Sequence, residues 1–471
     1  MTGDDFVVGV RCLRQLWYRL NGPAPAGGEA AGGRAAGGEA AVVLHRAYRD
    51  EQYRRLRAVA RSPEAAEVRA YELTPRWRVS ARVDEIEVSD AGRNLVMLRP
   101  ATSVKDAFIW EAAFADHVFS RAGAGGEAVT LRYLRKAYRR TPADGYDGLL
   151  IDADVTRRAR GRSTSVPSRI DRMTEVLALP QDELLARVEP CGSRGCPVCA
   201  AEKSTVERLR EVQPGGELSP VQRMQLAVHE SGERHTDRAA IAAFLGELEY
   251  PVSFLDFEAY SEAVPTLAGT APWEHVPVIY SLHRVAYPGA PPVHHVEAAP
   301  PDADGRAGLY RDLVSRLGER GSIVVYGKGF ERRMLERLAA GAYGAAGADR
   351  AYGAAGGAAP DAEPPAGAAL AGILPRLVDI SRIFARGEYY DPRQEGSASL
   401  KAVYRAMIGG EYGDLEVADG RDANALYYFL RHGPPPGLEL DGEAVLDDLK
   451  RYCSLDTEAL VHIVEKLREV V

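Results

Sequence analysis

The chain has 471 residues, 46% of them hydrophobic, enough for more than one domain with its own core. No run of eighteen apolar residues occurs and the opening segment MTGDDFVVGVRC is acidic, so neither a transmembrane helix nor a signal peptide is expected, and a cytoplasmic location is the default. A formal net charge of -8 excludes a protein that coats nucleic acid over its whole surface, yet suits an enzyme that gathers carboxylates around cations.

Cys12 stands near the start, in RCLRQLWY. Residues 22–40 are almost all Gly, Ala, Pro and Glu, the composition of a flexible loop. Residues 78–88 (RVSARVDEIEV) alternate as a half-buried strand, NLVMLRPAT reads as a second strand and KDAFIWEAAFADHVFSRAG as a helix. Basic residues then crowd two segments, first Arg132, Arg135, Lys136, Arg139 and Arg140, then Arg157, Arg158, Arg160, Arg162, Arg169 and Arg172. They read either as a solvated face or as a groove that tracks phosphates. Cys191, Cys196 and Cys199 close this half in CGSRGCPVC. Three cysteines in a short Gly- and Pro-containing loop are poor core fillers, and a reducing compartment disfavours disulfides. With Cys12 they form a four-thiolate set that suits Zn²⁺ or an iron–sulfur cluster. From Cys199 to about Glu249 the pattern is helical and charged, broken near 214–216, and reads as a connector.

After Pro251 the pattern turns strand-rich: VSFLDFEAY, PVIYSLHRVAY, PVHHVEAA and GSIVVYG. A meander followed by alternating helix and strand predicts an α/β layer fold. Asp256 and Glu258 lie two apart on the first strand and so share one face. Like charges at that spacing repel unless a cation joins them, although a polar strand face is the simpler alternative. In VVYGKGFERRMLERL an apolar strand ends at Tyr326 and Glu331 opens a helix, at the strand end where sites of open α/β sheets form. Residues 339–372 read as a disordered insertion, and Asp379 in LVDIS as a turn or cap residue before it is an acidic contributor. The last helix, roughly Gly442 to Glu469, carries an apolar stripe of Leu449, Cys453, Leu460, Ile463 and Leu467. One stripe position is Asp456, and a carboxylate there is costly unless paired or metal-bound. Tyr452 lies one turn before it, where a phenol can position or deprotonate an attacking water. Cys453 belongs to the stripe and is excluded as a ligand.

D-x-E on a first strand, F-E after a strand and turn, and Y-x-x-x-D on a final helix resemble the three motifs of the DEDD exonuclease superfamily, with the Tyr of its DEDDy branch. The resemblance implies a ribonuclease H-like fold with a mixed five-stranded sheet. It also implies 3′–5′ hydrolysis of single-stranded DNA or RNA, two Mg²⁺ or Mn²⁺ ions on Asp256, Glu258, Glu331 and Asp456, and Tyr452 orienting the nucleophilic water. Two departures stand out: Glu331 replaces the usual Asp, and Gly327 the frequent Asn. YPVSFLDFEAY, IYSLH, GSIVVYG-x-x-FE, GSASLK and YCSLDT-x-A together resemble an uncharacterised bacterial family in which a RecB-like, PD-(D/E)XK nuclease domain precedes a ribonuclease H-like domain. That architecture implies domains at 1–200 and 250–471 joined by 201–249.

The cysteine layout, one near the N-terminus and three closing the domain, is similar to iron–sulfur RecB-like nucleases, including CRISPR-associated members. It implies a [4Fe–4S] cluster on Cys12, Cys191, Cys196 and Cys199, with zinc the alternative. The catalytic pattern of that family asks for an Asp, then E-x-K on the next strand. Asp84 fits the first position, but Met97 and Arg99 stand where Glu and Lys belong, and Ala115 follows Phe114 where Gln is frequent. A thioether cannot replace a carboxylate on a hard cation. His45 matches an upstream helix ligand, or is simply structural. The N-terminal half is therefore expected to be a pseudonuclease that binds nucleic acid. The competing expectation for the whole chain is an inactive iron–sulfur scaffold or redox sensor.

Overall fold

This computed structural model describes residues 1–22, 39–62, 67–74, 77–141, 145–191, 193, 196, 198–199, 205–210, 217–343, 366–410, 417 and 419–471. The alternating run at 78–88 folds as two strands rather than one. β1 (Glu67–Thr74) and β2 (Trp77–Val83) pair as an antiparallel hairpin, and β3 (Glu85–Ser89) pairs instead with β4 (Gly92–Arg99). The break lies at Asp84, whose carboxylate accepts the N–H of Leu98 at 2.8 Å while its own N–H donates to the Val96 carbonyl. The residue thus ends one ladder and opens the next with its backbone and side chain both satisfied. β5 (Ala128–Leu134) joins β4 in parallel and β6 (Leu150–Asp154) joins β5 antiparallel, giving a mixed sheet ordered β3-β4-β5-β6. The expected helix forms over Asp106–Arg121 and buries Ile109, Phe114 and Phe119 in one core with Leu95, Val129 and Leu131.

The connector is helical at Thr205–Arg210, Pro220–Ser231 and Arg238–Gly246; its break at 214–216 lies outside the described residues. A two-residue strand, β7 (His235–Thr236), pairs with Tyr389–Tyr390 and ties this segment to the C-terminal half.

There, β8 (Val252–Tyr260), β9 (Val276–Val285) and β10 (Val293–Ala298) form the expected antiparallel meander. β11 (Ile323–Val325) and β12 (Leu377–Asp379) add in parallel on the other side of β8, giving the mixed order β10-β9-β8-β11-β12. β8 is central, which explains a run buried on both faces. Its alternation sorts two cores: Leu255, Phe257 and Ala259 pack in one, while Val252 and Phe254 pack with Leu460, Ile463 and Leu467 of the final helix in the other. Asp256 and Glu258 continue the second face, opposite the stretch of that helix that carries Asp456.

The insertion expected at 339–372 is trimmed at both ends by helix, Lys328–Tyr343 before it and Ala366–Ile373 after it, as suits alanine-rich sequence. Residues 344–365, like most of the Gly/Ala stretch (23–38), lie outside the described residues. The helix Glu39–Ala60 belongs to both halves. Its Leu44 joins the core of the five-stranded sheet, Tyr48 donates to the Ser261 carbonyl at 2.6 Å and Gln52 accepts from Ala263 N at 2.7 Å, whereas Leu56 packs with Leu98 and Leu134. No helix among the described residues is long and apolar enough to cross a membrane.

Candidate active site

The structure brings Asp256, Glu258 and Asp456 together: each offers a carboxylate oxygen, and these atoms all lie within 4.8 Å of one another. β8 supplies the first two and the final helix the third. The β8–β9 register shifts immediately after Glu258, a bulge of the kind that re-aims side chains beside sites. Burial, then the charge of Asp456 and Glu331, pushes the Asp256 carboxyl well above the usual range. Burial and Asp456 push Glu258 up to about 8.

Glu331 arrives from the first turn of Lys328–Tyr343, only 2% exposed. Its Oε2 has no hydrogen-bond partner, and burial plus the charges of Glu258 and Asp456 raises it too. Gly327 adopts a φ of 99°, the left-handed region that lets the chain turn sharply from β11 into this helix. Asp379 holds that turn, accepting from Gly327 N (3.1 Å), Lys328 N (2.9 Å) and the Ser381 hydroxyl (2.6 Å). It therefore does the work of a turn residue. Three clustered carboxyl groups, with a fourth, Glu331, outside that tight set but near enough for their charges to act on it and carrying an orphaned oxygen, fit hard divalent cations such as Mg²⁺ or Mn²⁺.

Tyr452 is buried beside this cluster, and burial with the charges of Asp456 and Glu258 drives its pKa upward. One neighbour, Lys401, was not singled out from sequence. Lys401, in the first turn of Leu400–Ile408, places Nζ 4.6 Å from the Tyr452 ring centre. Burial lowers its pKa, opposed by the charges of Asp456, Asp419 and Glu258. Cys453 lies in the core, as its stripe position predicts, but its Sγ also sits 3.4 Å from the Asp256 carboxylate. Only the Ser399 N-cap hinted at where Lys401 falls, and a single lysine in a first turn carries no chemistry by itself.

Residues 253–399 match the family described as Domain of unknown function (DUF2779). The match runs from β8 to the N-cap of the Lys401 helix, so it includes Asp256, Glu258 and Glu331 and stops short of Tyr452 and Asp456. No curated protein and no solved structure matches the chain.

In the N-terminal half the four cysteines converge. The sulfurs of Cys12, Cys191, Cys196 and Cys199 all lie within 4.8 Å of one another, with Cys12 and Cys199 at 3.5 Å, a set that could hold a metal ion or cluster. Burial pushes the Cys12 thiol up strongly and Cys199 to about 11. Against burial, the N–H groups of Cys199 and Val198 bring Cys196 below its ordinary value. The approach of the two chain segments is pinned from outside the sulfurs: Arg14 donates to the carbonyls of Val188 (2.5 Å) and Leu185 (3.0 Å), and Trp17 Nε1 to that of Leu179 (2.9 Å).

Asp84 is engaged by cations of the chain itself. Arg57 reaches it at 2.6 Å and Arg99 at 3.5 Å, and Arg99, fully desolvated, also pairs with Glu111 at 2.7 Å. Met97 and Ala115 lie in the apolar core. Over this network opens a cleft of about 660 Å³ lined by Arg49, Tyr53, Arg54, Arg57, Arg82 and Asp84, among others. His45 turns away from it, pairing with Asp422 of the C-terminal half at 2.8 Å.

Several arginines of the two basic segments, read from sequence as a solvated face or a phosphate groove, are spent internally. Arg132 is held by Asp152 (2.8 Å), Glu87 (2.9 Å) and Glu85 (3.3 Å). Arg160 donates to two carbonyls at 2.9 Å, and Arg162 and Arg169 both stack over Trp110. Sequence charge could not reveal these partners, because the acids lie on other strands.

Proposed function

We propose that the C-terminal half is a metal-dependent 3′–5′ exonuclease of the DEDDy type that hydrolyses phosphodiester bonds of DNA or RNA, and that the N-terminal half is a RecB-like pseudonuclease holding a [4Fe–4S] cluster, or zinc, on its four cysteines. The observation that carries the reading is the convergence of Asp256, Glu258 and Asp456 from two distant segments, with the unpartnered oxygen of Glu331 beside them. A sheet with the D-x-E strand at its centre, an antiparallel meander on one side and parallel strands on the other, supports a ribonuclease H-like assignment.

In this reading Asp256, Glu258, Glu331 and Asp456 hold the divalent ions. Those ions supply Lewis-acid stabilisation of the attacking and leaving oxygens. Tyr452 orients the attacking water through its hydroxyl. Lys401 adds a fixed positive charge where the phosphoryl oxygens gain negative charge. The thiolate site staples the two ends of the N-terminal half, and a soft four-sulfur donor set suits iron–sulfur or zinc.

The test is incubation of anaerobically purified protein with 3′- and 5′-labelled single-stranded DNA and RNA in Mg²⁺ or Mn²⁺, beside an Asp256→Ala/Asp456→Ala control. Stepwise loss from the 3′ end that vanishes in the control is expected. Degradation that survives the control returns the chemistry to the N-terminal half. Binding without degradation of any substrate makes the chain an inactive scaffold or sensor.

A further inference from the structure

Beside Glu258 opens a cleft of about 500 Å³ whose lining includes Phe257, His275, Phe330, Arg421 and Asn424. The two halves are joined through the loop that runs from β8 to His275. Arg140 N donates to the Thr270 carbonyl at 2.9 Å and Gly269 N returns a bond to the Arg140 carbonyl at 2.8 Å, clasping the N-terminal basic segment to the loop after β8. On the C-terminal side the rings of Phe330 and His275 meet edge to face at 6.0 Å, and the Arg333 guanidinium lies 6.0 Å from the Phe330 ring centre. Arg337, one turn on, donates to the His275 carbonyl at 2.8 Å and stands 3.7 Å from Glu274.

Arg139 joins this group: burial lowers the Arg337 guanidinium, Glu274 opposes it, and the charges of Arg333 and then Arg139 add to the lowering. His275 is lowered likewise, by burial and then by Arg337 and Arg333. Guanidiniums that repel one another gain most from a shared polyanion, and phosphates spaced along a backbone answer several at once. The adjoining aromatic pair answers the other part of a nucleotide, since an unstacked base presents a π-face to any ring.

We propose that Arg139, Arg333 and Arg337, with Phe330 and His275, form a groove shared by both halves that binds a single strand of nucleic acid and leads its end to the carboxylates. The proposal rests on the exonuclease reading for where the strand goes. Duplex is disfavoured because its bases are already stacked on one another. DNA and RNA share this chemistry, so both are probed.

Binding of end-labelled single-stranded DNA, single-stranded RNA and a duplex to the full chain is measured by fluorescence anisotropy in Ca²⁺ across a salt series. Arg333→Ala/Arg337→Ala is expected to weaken single-strand affinity by roughly tenfold or more and to flatten the log K against log salt slope by about two, and Arg139→Ala by about one. Phe330→Ala costs roughly tenfold without touching the slope. Arg333→Lys/Arg337→Lys keeps the salt slope and serves as the folding control. Unchanged affinity in the alanine variants, or equal binding of duplex, overturns the groove. Parallel degradation assays in Mg²⁺ separate the two ideas. A wild type that degrades strands, with variants of unaltered KM, sinks the groove and leaves the exonuclease; strand binding lost in the variants, with no degradation by the wild type, sinks the exonuclease and leaves the groove.

Discussion

Both halves set an aspartate into a mixed sheet, and the two aspartates meet opposite fates. Asp84 is surrounded by cations that the chain carries itself, Arg57 and the buried Arg99, so its charge is answered on folding. Asp256 is surrounded by Glu258, Glu331 and Asp456, and the cation Lys401 partly offsets the crowding at Glu258. A site whose charge is balanced internally has no need of an ion. A site that crowds carboxyl groups out of water is unstable in its charged form until cations arrive. In the proposed reading the difference separates a metal site that has lost its role from one that keeps it, and it can be broken experimentally at either end.

The largest expected effect is catalytic. Asp256→Ala or Asp456→Ala lowers the rate of strand degradation by roughly a thousandfold or more, the scale of losing transition-state electrostatics. Quenched-flow or gel assays on labelled strands check it, and a variant that retains wild-type rate breaks the comparison outright. Cys196→Ser is next, because a structural metal site contributes on the order of 10 kcal/mol to the segment it closes. Loss of bound iron or zinc by elemental analysis, with proteolytic opening of the Cys12 and Cys191–Cys199 ends, is the expected outcome. Retained metal would remove Cys196 from the ligand set. Lys401→Met is expected to cost roughly a hundredfold in kcat while leaving Mn²⁺ affinity, read by EPR, near wild type. A loss confined to metal affinity would make Lys401 a structural counter-charge.

The pH dependence sharpens the contrast further. Carboxyls raised in the folded state hold protons that the unfolded chain releases, so their stability contribution is complete at low pH. It is lost progressively as pH climbs past the ordinary carboxyl range toward the value of about 8 for Glu258. In EDTA, wild type should therefore lose Tm relative to Glu258→Gln as pH rises through that window. Mn²⁺ should restore it most at the upper end, where it competes with fewer protons. A wild-type Tm that gains on Glu258→Gln with rising pH in EDTA would contradict the charge crowding.

The parts of this arrangement that sequence disclosed are those where local pattern meets a large energetic cost. Asp256 and Glu258 share a face because a strand has period two, and Asp456 stands out because a carboxylate interrupts an otherwise apolar stripe. The cysteines were legible for the same reason: three thiols in one short loop have little to do in a core. What stayed hidden depends on long-range partners. Lys401 reaches the site only through the packing of its helix on the last one, and Arg57 reaches Asp84 from a helix that also packs on the five-stranded sheet. Arg132 read either as solvated or as a phosphate contact because its acids, Glu85, Glu87 and Asp152, come from neighbouring strands. The strand break at Asp84 was hidden too, since alternation continues through it while the pairing partner changes.

The smallest expected effect tests the Asp84 site. Asp84→Asn keeps the shape of the residue and an oxygen for the Leu98 N–H, but withdraws the charge that faces Arg57 and Arg99. Arg99 retains Glu111 at 2.7 Å, so the variant should fold, destabilised by roughly 1–3 kcal/mol as a hydrogen-bonded charge partner is lost. Strand degradation in Mg²⁺ should be unchanged. If instead Asp84→Asn abolishes degradation while the protein stays folded, then Asp84 holds an ion after all when substrate displaces Arg57, and the balance of charge read at that site is a resting state rather than a loss of function. Chemical denaturation and the degradation assay on the same preparation decide between the two, because destabilisation without catalytic loss is the signature of a purely structural ion pair.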